Sequence, residues 1–81
     1  MSKLQLQVGD VFYIESKNEV RIITRVGSNS VSYGLYALVN GKWKLFFYNS
    51  LDLNTFLYLF GKFKVSKLKA ILLKSQIEDN T

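Results

Sequence analysis

The 81-residue chain contains no cysteine, no histidine and no proline. Without cysteine there is no disulfide to staple a small fold and no thiolate centre, and a reducing compartment is acceptable. With histidine missing too, His- and Cys-ligated zinc, haem and blue-copper sites are excluded, as are Ser–His and Cys–His nucleophilic pairs. The five glycines, Gly9, Gly27, Gly34, Gly41 and Gly61, stand apart from one another, so no glycine-rich phosphate loop exists. Acids are also scarce. Outside the C-terminal tail they are Asp10, Glu15, Glu19 and Asp52, and no two share a spacing that paired-carboxylate chemistry uses. Ser50 is a hydroxyl with no evident base. No catalytic residue, cofactor or metal is therefore expected, and the chain reads as a non-enzyme.

Long apolar runs are missing as well. Residues 1–8 lack the hydrophobic core of a signal peptide. The longest nearly uncharged stretch, 45–60, is broken by Asn49, Ser50, Asp52, Asn54 and Thr55, so it does not read as a membrane span. A soluble, cytoplasmic protein with no membrane partner is the expectation. There is no internal repeat, linker or low-complexity tract. One domain is expected over residues 1–81, with its core over about 8–77 and a frayed polar tail at 78–81.

Apolar side chains, by contrast, are abundant. Hydrophobic residues make up 48% and aromatics 15% of the chain, too many for a disordered segment. A domain of this size buries only about 60% of its unfolded surface, so some aromatics should remain outside, where an exposed apolar patch marks a partner. Eleven basic and six acidic residues give a net charge of +5. Six lysines and one acid, Asp52, fall between positions 42 and 69. Such clustering attracts polyanions through phosphate contacts and counterion release. The same lysines can also serve only to keep a small sticky domain soluble and to guard strand edges.

Alternating apolar and polar residues predict strands at 10–15, 20–26, 31–39 and 42–48, separated by turns at 16–18 and 27–30. Asn40-Gly41 predicts a two-residue type I′ hairpin, because both residues tolerate positive φ. Counting outward from it pairs Leu38 with Trp43, Tyr36 with Leu45 and Gly34 with Phe47 on a core face. Val20, Ile22, Val26, Phe56 and Phe60 are expected to join that core. The opposite face pairs Val39 with Lys42, Ala37 with Lys44, Leu35 with Phe46 and Tyr33 with Tyr48; it is the candidate contact face, or its base is covered by a helix of the same chain that begins after Ser50. Gly34, in mid-strand, predicts a bulge or bend. Ser50 is expected to cap a short helix over 51–60, ended by Gly61 in the left-handed conformation. Residues 62–65 read as an edge strand, and 66–77 as a helix capped by Ser66 or as a further strand.

The opening Val8-Gly9-Asp10-Val11, the short meandering strands and the helical turn before a last strand resemble SH3-like small barrels, a group that includes Tudor and KOW-type modules. The resemblance covers about residues 8–65. The run Val31-x-Tyr33-x-Leu35-Tyr36, followed by Trp43 and Phe56, is similar to small uncharacterised bacterial and phage SH3-like proteins. Richness in lysine, asparagine and phenylalanine fits a phage or mobile-element origin. The resemblance implies a mainly β fold, an SH3-like small antiparallel barrel or strongly bent sheet with one or two short helices. No binding residue of those families carries over onto this chain.

Two functions follow. The first is a nucleic-acid-binding module for DNA or RNA, which combines basic side chains with aromatic rings on which bases stack. Its residues are Lys42, Lys44, Lys62 and Lys64, with Tyr33 and Tyr48 as stacking platforms and Phe46 beside them on the same hairpin face. Arg21 and Arg25, about 13 Å apart on one strand face, extend the track. The second is a protein-interaction module: an adaptor, an inhibitor or a self-associating subunit. It would act through an open strand edge or through Leu68, Ile71 and Leu72 of the last segment.

Overall fold

The computed structural model describes residues 5–78. The fold is mainly β. Four strands, β1 (Val11–Ile14), β2 (Glu19–Val26), β3 (Ser30–Val39) and β4 (Lys42–Asp52), form one antiparallel sheet in the order β1-β2-β3-β4. Two eight-residue helices follow, α1 (Leu53–Phe60) and α2 (Lys67–Lys74). Every strand pairs with its neighbour in sequence, so the register is set by short turns. Asn18 closes the first in the left-handed region after a single 3-10 turn. Asn40 (φ 53°) and Gly41 (φ 80°) make the third, as the Asn-Gly signal predicts.

The pairs counted from that turn hold for four steps, through Tyr36 and Leu45. A bulge then intervenes. Phe46 is the extra residue, Leu35 pairs with Phe47, and Gly34 pairs with Tyr48. The bulge reverses the expected facing of the rest of β4. Phe47 leaves the predicted core face and is exposed, and the expected pairs Leu35–Phe46, Gly34–Phe47 and Tyr33–Tyr48 do not form. A second irregularity, between Ile23 and Arg25, turns Val26 to the opposite face from Val20 and Ile22. Bulges of this kind bend and twist the strand that carries them.

The sheet is buried on both faces, so the alternative that a helix of the same chain covers the second face is the one that holds for Tyr33. After β4, α1 crosses one face and sets Phe56 against Phe12, Ile23, Val31 and Tyr33. Phe56 meets Phe12 edge-on at 5.0 Å between ring centroids. The chain then reaches the β1 edge, where Lys64 bridges Phe12 and the Val65 N–H donates to the Val11 carbonyl. From there α2 returns across the other face and packs Leu73 against Val11, Val20 and Trp43. The turn after it reaches the β4 edge, where Ile77 bridges Trp43. Trp43, Val20 and Phe56 are buried as expected, but Phe56 lies across the sheet from Trp43. Leu38 is exposed, at the uncovered tip of the hairpin.

Three boundaries differ from expectation. β4 runs on to Asp52, whose carboxylate caps α1 by accepting from the Thr55 N–H; Ser50 remains in the strand, its hydroxyl bonded to that of Ser32. Gly61 keeps right-handed φ and opens a 3-10 turn (Gly61–Phe63), which replaces most of the expected edge strand at 62–65. Ser66 does cap the last helix, accepting from the Lys69 N–H. Among the described residues, no helix is long and apolar enough to cross a membrane. Most of the frayed tail expected at 78–81 lies outside the described residues.

Candidate functional site

The four lysines proposed for phosphate contact do not form one patch. Lys42 and Lys44 lie on β4, one edge of the sheet. Lys62 and Lys64 lie where the chain passes β1, the opposite edge. The sequence places them about twenty residues apart, and α1, which lies within that interval, carries the chain across the sheet. Lys64 is further engaged by Asp10, 3.6 Å from its ammonium. Lys62 sits over the Phe63 ring at 5.2 Å.

Arg21 and Tyr33 face inward. Arg21 shares its face with Phe12 and Ile23, and α1 covers it. Its guanidinium lies 4.1 Å from the Phe60 ring centroid, 5.8 Å from that of Tyr33, and 3.1 Å from a Glu19 carboxylate oxygen. A planar cation stacked on rings and paired with an acid is held as part of the packing. Tyr33 is only 4% exposed, in the Phe56 cluster, so it offers no face to a base. Its hydroxyl is the acceptor for the Asn49 side-chain amide at 3.5 Å.

Arg25 and Tyr48 are the predicted residues that come together in the open. Thr24, Arg25, Ser32, Tyr48, Asn49 and Ser50 line one shallow depression on the face that α2 covers elsewhere. Gly34 lies beneath the Tyr48 ring. A methyl group placed there would come within 3.3 Å of Tyr36 and Tyr48 ring carbons and 3.2 Å of a Leu45 methyl. The glycine therefore seats three large side chains against the sheet. Burial, and second the neighbouring Tyr48, push the Tyr36 hydroxyl above its ordinary pKa.

The most exposed apolar surface on the sheet is the bulged part of β4. Phe46 is 59% exposed, Phe47 49% and Tyr48 65%. β4 is an edge strand, and its outer side is already taken at one end. There the Trp43 N–H donates to the Gln76 carbonyl at 2.9 Å, and the Trp43 carbonyl accepts from the Glu78 N–H at 2.8 Å. The backbone groups of Trp43 thus point outward. By the two-residue alternation of an antiparallel ladder the same orientation recurs at Leu45 and, past the bulge, at Tyr48 and Ser50. The Ser50 N–H is occupied by the Asn49 side-chain oxygen at 2.9 Å. Among the described residues, the outward groups of Leu45 and Tyr48 are left without a backbone partner. The result is a six-residue window, 44–49, bounded by Trp43 with its own tail on one side and by Ser50 on the other.

A second apolar stripe, Leu68, Ile71 and Leu72, runs along the outer side of α2, opposite the Ala70 and Leu73 side that packs on the sheet. Sequence reasoning named this stripe and set Phe46 with Tyr48 on the contact face, but placed Phe47 in the core, because Gly34 signals a bulge without showing that β4 takes the extra residue. Among the described residues, no three acidic side chains converge as a metal site would require. Comparison with protein-family models, with curated proteins and with solved structures finds no match.

Proposed function

We propose that the protein is a non-catalytic protein-interaction module that takes an extended segment of a partner onto the β4 edge. The observation that carries this is the window at 44–49, with outward backbone groups at Leu45 and Tyr48 beside three exposed aromatic rings in succession. Natural edge strands are blunted with charge, proline or cover. β4 has Lys44 at the margin of the window and aromatics at its centre. Strand addition of this kind draws affinity from main-chain hydrogen bonds and selectivity from side-chain pockets on alternate positions. The SH3-like kinship belongs to the same proposal. It is supported by the four-strand meander, the two bulges and the return of the chain to β1 at Lys64.

The test is selection from a displayed library of random ten-residue peptides, followed by synthesis of the best binder. The expected result is an extended peptide with alternate apolar residues. Its binding should be abolished by N-methylating every second amide, and lost on Phe47→Lys. Binders indifferent to N-methylation, or whose footprint by amide shifts avoids residues 44–49, would overturn the proposal.

Nucleic-acid binding is the second proposal, and Arg25 beside the open ring of Tyr48 supports it. It places one phosphate contact and one stacked base on the Ser32–Ser50 side of the sheet. Saturable oligonucleotide binding tighter than about 0.1 mM at low salt, weakened by both Arg25→Ala and Tyr48→Ala, would favour it over strand addition.

A further inference from the structure

We infer that the strand taken up by the β4 window is the same window of a second copy of this chain, giving a weak antiparallel two-fold dimer. This rests on the strand-addition proposal above and names its partner. An isologous pair needs a self-complementary patch, in which each position and its mate exchange roles across the axis. The window meets that condition. With the axis between Phe46 and Phe47, Leu45 of one copy faces Tyr48 of the other, and the reverse. These are the two positions whose backbone groups point outward. The bulge sets those two positions three residues apart, so the axis falls between two residues rather than on one.

Charge selects the direction. Lys42 and Lys44 lie upstream of the rings and Asp52 downstream. Antiparallel pairing directs each copy's lysines toward the other's Asp52, whereas parallel pairing sets like charges side by side. The extent of the interface follows from the same boundaries. Trp43 is occupied by residues 76–78 and the Ser50 N–H by Asn49, so backbone pairing stops at six residues per copy. An aromatic side chain carries roughly 200 Å². At the observed exposures the three rings then offer at most about 350 Å² per copy, or about 700 Å² in the pair. Lys44, Leu45 and the backbone bring the total toward the lower limit of specific interfaces, near 1,200 Å². An interface of this size belongs to the transient class, and we take its midpoint to be on the order of 100 µM, between the micromolar and millimolar marks.

Sedimentation velocity over a concentration series from roughly one-tenth to ten times that midpoint, with amide NMR on the same samples, tests this. Wild-type protein should shift from monomer to dimer, with the Leu45 and Tyr48 amide resonances moving in step. Phe47→Lys and, separately, Tyr48→Lys should each weaken association at least tenfold. Both positions are exposed in the monomer, so both variants should stay folded, as far-UV circular dichroism checks. A protein that stays monomeric throughout overturns the dimer. So does association that survives both edge variants but is lost on Ile71→Lys, which would assign it to the outer face of α2. Either result leaves strand addition standing if the selected peptide still binds the window, so the two ideas fail separately.

Discussion

Phe56 joins α1 to the sheet, and its removal tests whether the two buried faces are one cooperative unit. Its ring is fully buried and touches Phe12, Tyr33 and Phe60 at centroid distances of 5.0, 5.2 and 5.1 Å. Phe56→Ala leaves a void that three rings border, and Phe→Ala changes in such sites cost about 3–5 kcal/mol. At about 0.05–0.15 kcal/mol per residue, a domain of this length has only some 4–12 kcal/mol in total. Phe56→Ala should therefore lie close to the folding threshold, and Phe56→Leu should lose less. Trp43 provides the readout, because it is the single tryptophan and lies on the other face with Leu73. Urea unfolding of Phe56→Ala, followed by Trp43 fluorescence and by far-UV circular dichroism, should show both midpoints moving down together. If the Trp43 midpoint stays at its wild-type value while the circular dichroism shifts, the faces melt independently. If neither moves by more than about 1 kcal/mol, the assignment of Phe56 to the core is wrong.

Two further outcomes are expected. Arg21→Met keeps the packing against Phe60 and removes a stacked guanidinium whose Nε is buried without a hydrogen-bond partner. Its stability should stay within about 1 kcal/mol of wild type or rise, and a loss above about 3 kcal/mol by urea titration would show that the charge itself is required. Tyr36, with its hydroxyl held above the ordinary pKa, favours the folded state while protonated. Above about pH 10 the unfolded chain gives up this proton first. Stability contributed by Tyr36 is therefore present below that value and lost as pH rises through the folded pKa. Tyr36→Phe should show a shallower alkaline decline than wild type, and identical pH profiles would refute the assignment.

The mainly β architecture and the elements near Asn40-Gly41 were legible because local chemistry decides them. A two-residue turn fixes four cross-strand pairs without help from the rest of the molecule. Gly34 predicts a bulge or bend, and the register shift falls beside it, between Leu35 and Tyr36. What was not legible is that the extra residue is Phe46 on the facing strand, because a mid-strand glycine does not say which strand takes it. Because one extra residue inverts every later side chain, that single event moved Phe47 from the core to the surface. Ile23 is missing from the expected core for a different reason: it alternates with Arg21 and Arg25, and the helix that covers that face lies about thirty residues away in sequence. Tyr33 and Arg21 were lost to the site in the same way, beneath Phe56 and Phe60. The lysine clusters were close in sequence and far apart in space, because α1 carries the chain from one sheet edge to the other. Ser66 as a cap and the exposed Leu68, Ile71 and Leu72 were recoverable, since a cap and a helix stripe are written within one turn or two.

The path of the chain after Asp52 also orders events in time. The meander pairs neighbours only, through turns that close in microseconds, whereas the two bridges, Lys64 to Phe12 and Ile77 to Trp43, join residues 52 and 34 positions apart. The last third of the chain is thus a belt drawn around a preformed ribbon and buckled at Trp43. A belt fastened late leaves early. Weakening its buckle should hasten unfolding while leaving the folding rate nearly unchanged. While it is undone, the outer side of β4 lies open from the hairpin tip to Ser50, with Trp43 added to the rings already in solvent.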